Sequence, residues 1–227
     1  MLKIGNQIAR QTKPLIATPI MGSNTEDVMQ AIVETNISQA DLIEWRVDFY
    51  ENMADLTTDT LQMIIASSEK PILFTWRTAE EGGKTPFDEE KYRRLYQVAI
   101  HAGVAAVDIE YRLLPAFTDL VQVAKEANIP VIGSWHNFIE TPDYLAGLLE
   151  QIFASRADVI KIAVMPKNKA DVIRLMKTAT QFSDRNKPLI AISMGDLGQS
   201  TRFKAPEFGS QLTFGALEQA SAPGQPT

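Results

Sequence analysis

Short runs rich in β-branched and aliphatic residues recur along this chain, each followed by a longer stretch with helical period. That alternation limits the fold more than any other feature, because it is the pattern of βα units laid into a parallel sheet. The runs predict strands at Leu15–Ile20, Leu42–Val47, Pro71–Trp76, Ala105–Glu110, Pro130–Trp135, Val159–Val164, Pro188–Ser193 and Gln211–Phe214. Three of them open on a proline, which a first strand residue tolerates because the ladder does not yet need its N–H.

Helices are expected in the gaps. Ser23-Asn24-Thr25 precedes a helix over Asp27–Asn36, and Thr141-Pro142 opens one that runs to Ala154. Both starts carry a capping side chain, and the second adds proline at the first helical position. Pro86 to Asp88 precedes a helix to about Ala102 that Gly103 closes. Eight strands and about seven helices favour a closed (β/α)8 TIM barrel over an open doubly wound sheet. No glycine-rich dinucleotide turn follows the first strand, and there is no P-loop. The 227 residues suit a single barrel domain over 1–227. The eighth strand is followed only by a short helical turn over 215–220 and then Ser-Ala-Pro-Gly-Gln-Pro-Thr. A complete outer layer needs one more covering helix, so residues missing beyond this point are expected.

Composition narrows the partners. A net charge of -6 with no dense basic run argues against nucleic acid. An anionic ligand must therefore be met by a few local arginines. With no cysteine, disulfides and thiolate metal sites are excluded. No apolar stretch is long enough for a membrane span and no signal-peptide core is evident, so no membrane partner and a cytoplasmic location are expected.

Side chains alternate across a strand, so i and i+2 share a face. In five of the predicted strands one parity is apolar and the other is polar. Ile43, Trp45 and Val47 oppose Glu44, Arg46 and Asp48; Phe74 and Trp76 oppose Thr75 and Arg77. Asp108 and Glu110, then Ser134 and His136, then Lys161 continue the polar set. With the apolar parity against the helices, Glu44, Arg46, Arg77, Asp108, Glu110, His136 and Lys161 converge inside the barrel. Most lie near the C-terminal strand ends, where barrels carry their active sites. So many buried ionisable groups are costly unless they pair or act in a site. On spacing alone Lys161, bracketed by isoleucines, reads as functional. His136 reads equally as a core histidine or a proton carrier, and Glu44 with Arg46 equally as a plain ion pair. His101 reads as a cation at a helix C-terminus. Arg112, Lys167 and Lys169 read as solvated loop residues.

Taken together, Glu44-Trp45-Arg46-Val47-Asp48, Phe74-Thr75-Trp76-Arg77, Glu81-Gly82-Gly83, Ser134-Trp135-His136-Asn137-Phe138 and Val159-Ile160-Lys161-Ile162-Ala163 form an ordered series. Ser193-Met194-Gly195, Ser200-Thr201-Arg202 and Ser221-Ala222-Pro223-Gly224-Gln225 extend it. The series resembles the motifs of type I 3-dehydroquinate dehydratase over nearly the whole chain, from about residue 13 to 225. The resemblance implies a lyase of the shikimate pathway that removes water from 3-dehydroquinate without metal or organic cofactor. It implies that Lys161 forms an imine, that His136 is the general acid/base, and that Glu81 orients the histidine. Glu44, Arg46 and Arg77 match residues that hold ring hydroxyls, and Arg202 the arginine for the substrate carboxylate. Met194 and Phe214 match apolar walls, while Ser221 and Gln225 match a lid over residues 221–225. A homodimer is implied as well. The family continues past this closing motif into a final helix. Pro19 stands where some relatives carry serine, which leaves the first strand out of the predicted site.

The chemistry fits those residue types. A protonated imine is a cationic electron sink that makes removal of the adjacent proton feasible. Lysine must reach the ketone as a free amine; burial and nearby arginines favour that form and interior carboxylates oppose it. A single imidazole serving both ends of the elimination implies that proton and hydroxyl leave from one face of the ring. Two other readings compete: a class I aldolase or transaldolase, for which the late loops lack a phosphate cradle, and a silent ligand-binding barrel.

Overall fold

The computed structural model describes residues 1–217 and 221–225. Eight parallel strands form one sheet: β1 (Leu15–Ile20), β2 (Leu42–Arg46), β3 (Ile72–Thr75), β4 (Ala106–Glu110), β5 (Val131–Asn137), β6 (Val159–Val164), β7 (Leu189–Ser193) and β8 (Leu212–Phe214). Sequential strands pair, and β8 returns to β1. Between β7 and β8 the circle closes through the Leu189–Ser210 bridge and a hydrogen bond from Ala191 N to Ser210 Oγ. The TIM barrel read from the strand rhythm is the observed architecture.

Six helices fill the outer layer: α1 (Thr25–Asn36), α2 (Thr58–Ala66), α3 (Glu89–Ala102), α4 (Thr118–Glu126), α5 (Leu145–Ala154) and α6 (Lys169–Phe182). Asn24, Asp88 and Asn168 cap α1, α3 and α6 by accepting from the backbone N–H three residues on. Gly103 ends α3 at φ 88°, a left-handed conformation that glycine adopts without penalty. The start of α5 differs from expectation. It begins at Leu145, and Thr141 and Pro142 precede it rather than capping it. The Thr141 hydroxyl donates instead to the Met165 carbonyl, so it ties this loop to the end of β6. Lys169 is likewise the first residue of α6 and not a loop residue. Over the described part of 215–220 there is no helical turn; residues 218–220 lie outside the described residues.

The three prolines sit one residue ahead of β3, β5 and β7 rather than within them. Their carbonyls nonetheless serve the ladder, accepting from Ile43, Val107 and Ile160 of the preceding strands at 2.9–3.1 Å. The predicted second strand is one residue shorter, because Val47–Phe49 coils into a 3-10 turn. The fifth runs two residues further, to Asn137, and so carries His136 within the ladder.

Two apolar layers result. Ile43, Trp45, Phe74, Val107, Ile109, Ile160 and Ile162 face the helices in the outer core. The inner layer consists of Leu15, Leu42, Leu73, Ala106, Ile132, Val159, Ile190 and Leu212. An N-terminal hairpin of Lys3–Ile4 and Gln7–Ile8, absent from the sequence reading, seals this end with fully buried Leu2, Ile4 and Ala9. Inner positions are thus apolar near the strand starts and become polar two to four residues later. The floor excludes water, and the charges collect above it.

Candidate active site

Glu44, Arg46, Arg77, His136, Lys161, Met194, Arg202, Phe214, Ser221 and Gln225 all line one pocket at the C-terminal mouth of the barrel. Of the predicted site residues only Glu81 does not line it; its carboxylate stands behind His136. Phe138, Ala163 and Ile192 also line the pocket and were not predicted, and so does Ala222, which falls within the expected 221–225 lid. The inner parity of β6 and β7 already contained Ala163 and Ile192. Phe138 follows the end of β5, where the two-residue alternation no longer says which way a side chain points.

Lys161 rises from the middle of β6 and is almost fully buried. Its Nζ donates to Asp108 Oδ2 at 3.0 Å and to Glu44 Oε1 at 3.2 Å, and lies 4.6 Å from the Phe214 ring centre. Glu44 therefore pairs with Lys161 and not with Arg46. Arg46 makes two 2.8 Å bonds to Asp48, whose oxygens also accept from the Lys84 and Arg77 backbone N–H groups.

Arg77 is the hub beneath the pocket. It donates to Asp108 at 2.7 Å, Ser134 at 2.9 Å, Glu110 at 3.3 Å and Glu81 at 3.5 Å. Burial works against its charge, but those three carboxylates outweigh it and hold the guanidinium protonated. Burial likewise opposes the charge on Asp108, and Arg77 and Lys161 prevail, keeping its pKa well below the usual carboxylate range. Arg112, read as a solvated loop residue, is exposed as expected, yet its guanidinium is tied down. It bonds Glu110 at 3.1 Å and Thr78 at 2.7 Å, which fastens β4 to the loop that carries Glu81.

That loop is set by Gly82-Gly83. Gly82 holds φ 83° after the Ala79–Glu81 turn, and a Cβ on Gly83 would fall 1.8 Å from the Arg77 carbonyl oxygen. The close approach brings Glu81 Oε2 within 3.0 Å of both His136 N and His136 Nδ1. Burial pushes the Glu81 carboxyl up to about 8 against the pull of Arg77. Burial, with Arg77 and Lys161 adding to it, drives His136 well below 6.5. The pair therefore shares protons as one unit, with the imidazole neutral at pH 7. His101, the other histidine, caps the last turn of α3 through the Gln97 carbonyl at 2.6 Å, far from this chemistry.

Arg202 sits on the short Ser200–Phe203 helix after β7 and is 4% exposed. Among the described residues it pairs with no carboxylate. Nη1 and Nη2 reach the Phe214 and Pro223 carbonyls at 3.3 Å, and Nε has no partner. Burial alone lowers its pKa to about 10. Residues 221–225 lie over this end of the pocket. Gly195 N donates to Pro223 O at 3.0 Å, and Gln225 Oε1 accepts from Ser221 N at 2.8 Å and Ser221 Oγ at 3.2 Å. Gln225 Nε2, also buried, has no partner among the described residues. A cation and an amide donor, both short of acceptors, thus stand opposite an amine and an imidazole. The arrangement suits a ring bearing a carboxylate at one end and a ketone at the other.

The sequence model of the family described as Type I 3-dehydroquinase matches residues 16–227. A 3-dehydroquinate dehydratase from Enterococcus faecalis is 37% identical over 221 residues, which covers 93% of this chain and 87% of the relative. One from Listeria monocytogenes serotype 4b is 36% identical over 224 residues, with the same coverage of 93% and 87%. The crystal structure of 3-dehydroquinate dehydratase from Geobacillus kaustophilus superposes with a TM-score of 0.93 at 33% identity, over 99% of this chain and 91% of that one. A type I 3-dehydroquinate dehydratase from Clostridium difficile, solved with covalently modified comenic acid, gives 0.89 at 32% identity over 100% and 92%.

Proposed function

The chain belongs to the type I 3-dehydroquinase family, and on that premise we propose how its side chains divide the dehydration among them. The activity is that of a hydro-lyase: 3-dehydroquinate loses water to give 3-dehydroshikimate, a step of the shikimate pathway toward aromatic amino acids. The observation that carries the assignment of roles is the convergence of Lys161, His136 with Glu81 behind it, and the carboxylate-free Arg202 on one pocket at the barrel mouth.

Lys161 Nζ attacks the ring ketone and, with loss of water, becomes a protonated imine. The imine withdraws electrons from the neighbouring carbon and so acidifies its proton. His136 takes that proton. With Nδ1 engaged by Glu81, Nε2 is the nitrogen left for the ring, and its low proton affinity makes it neutral and ready at pH 7. The electron pair of the resulting enamine then expels the hydroxyl on the next carbon, which His136 protonates as it leaves. Both groups depart from one face. Hydrolysis of the imine frees the enone and restores Lys161.

Arg202 grips the substrate carboxylate through two parallel charge-assisted bonds, and Gln225 Nε2 and Ser221 close over it as a lid. Glu44 and Arg46 hold ring hydroxyls. Arg77 serves them from below, since its own donors are committed to the carboxylates beneath the pocket. Met194 and Phe214 form the apolar walls. A cytoplasmic homodimer completes the reading; exposed Ile139, Tyr144 and Phe203 offer apolar surface for a partner. Sedimentation as a single 25.2 kDa species would remove the dimer.

Borohydride added during turnover should fix one substrate-derived adduct per chain on Lys161, and Lys161→Met should abolish both the adduct and the enone absorbance. An adduct on another lysine would overturn the assignment. Binding of substrate without enone absorbance would reduce the protein to a silent barrel.

A further inference from the structure

Two carboxylates meet Lys161, and they are not equivalent. Glu44 lines the pocket and is within reach of a bound ring. Asp108 does not line it: the side chain is fully buried on β4, behind Nζ as seen from the pocket. Both Asp108 oxygens are occupied. Oδ1 accepts from Ser134 Oγ at 2.5 Å and Arg77 Nη2 at 2.7 Å, and among the described residues Oδ2 accepts only from Lys161 Nζ at 3.0 Å.

Counting protons through imine formation separates the two. The ammonium nitrogen carries three protons and the protonated imine one. The two that it gives up leave with the ketone oxygen as water, so the nitrogen keeps its single positive charge while losing two of its three donors. The new C–N bond points into the pocket, where the ring lies. One N–H remains for two carboxylates, and Glu44 faces ring hydroxyls on the pocket side.

We propose that Asp108 is the counterion of the protonated imine, taking the one N–H that Lys161 retains after it condenses with the ketone. The inference rests on the imine reading above and deepens it. A trigonal nitrogen held by a fixed anion on its far side keeps its charge at the moment the adjacent proton is removed, and its C=N plane is set by the Oδ2 contact. A preorganised charge of this kind needs no reorganisation during the reaction. Ser134 and Arg77 keep the carboxylate ionised and immobile, consistent with its strongly depressed pKa. The other charged or titratable groups around the pair are Glu44, Arg46, Glu81, Glu110, His136, and Tyr92 and Tyr96 on α3, which the Asp108→Asn exchange leaves in place.

The test uses cyanoborohydride, which reduces the protonated imine and spares the neutral one. Wild-type protein saturated with 3-dehydroshikimate is titrated with pH and the Lys161 adduct is read by intact mass. In Asp108→Asn, trapping on the acid side is retained, and its alkaline limb moves down by about one to two pH units. The kcat falls on the order of 10²-fold while KM stays within about threefold. A merely structural role would lower the amount of trapped protein at every pH without moving the limb. An alkaline limb that coincides with wild type overturns the counterion role. If Asp108→Asn does not fold, Ser134→Ala removes one bond to Oδ1 and carries the same readout. With Arg77 still holding Asp108 ionised, the carboxylate then shares less of its charge with Oδ1 donors, so the limb should move upward by roughly half a unit, and a limb superimposed on wild type overturns the proposal. Absence of any Lys161 adduct in the wild-type protein would instead sink the imine reading itself.

Discussion

Replacing Arg202 with alanine tests how the ring is oriented. In the free protein this guanidinium is buried, reaches two backbone carbonyls at 3.3 Å and faces no carboxylate among the described residues. Burial brings it from 12.5 to about 10. At roughly 1.4 kcal/mol per pH unit, this amounts to uncompensated burial on the order of 3 kcal/mol. A substrate carboxylate relieves much of that and adds two bonds to a charged group, each worth about 1.5–3 kcal/mol. The contributions overlap, so about 3–4 kcal/mol is the expected loss for Arg202→Ala, equivalent to roughly 10²–10³-fold in kcat/KM. Most of it should appear in KM, because the carboxylate is bound alike in ground and transition states. Initial rates read from enone absorbance supply both constants. Repeating them with the carboxamide analogue of the substrate closes a cycle: wild type should lose about the same factor on that exchange, and Arg202→Ala should lose little. A KM within about twofold of wild type, or an equal penalty for the carboxamide in both proteins, would refute the assignment.

The paired groups behind the ring carry three further predictions. His136→Ala should lower kcat by about 10²–10⁴-fold. With the neutral imidazole as the proposed base and its pKa depressed, activity should persist as pH falls through 6.5 and fail only below it; an acid limb of kcat/KM at or above 6.5 would contradict this. Glu81 is raised from 4.5 to about 8, so it contributes stability that is fully present below 4.5 and is lost as pH rises through 8. Glu81→Gln should therefore gain stability relative to wild type between about pH 5 and about pH 9, read as the change in urea midpoint difference. Equal differences at the two pH values would count against a raised carboxyl.

Much of this molecule can be read in one dimension because strand faces repeat every two residues. That period is local: Leu42, Glu44 and Arg46 share a side whatever the rest of the chain does, and so do Val159, Lys161 and Ala163. The barrel, its polar interior and the gathering of Glu44, Arg77, His136 and Lys161 follow from it. Prolines and capping residues mark element ends for equally local reasons, although Thr141 shows the limit: its hydroxyl had a nearby tertiary acceptor and took it. The motif series then carried the expected roles of Glu81, Arg202 and Gln225, which lie in a short turn, a one-turn helix and the closing segment, where no strand period operates.

What the period could not supply is who meets whom across the barrel. The partner of Glu44 is Lys161, 117 residues away, and not the adjacent Arg46. Arg112, though exposed, is anchored because β4 and the loop after β3 bring Glu110 and Thr78 together beneath it. The hairpin that plugs the floor is only two residues per strand, too short to show a pattern. The electrostatics that keep the His136 imidazole neutral and lower the Arg202 pKa come from burial and distance. Both are properties of the closed barrel, and neither is written in any stretch of sequence by itself.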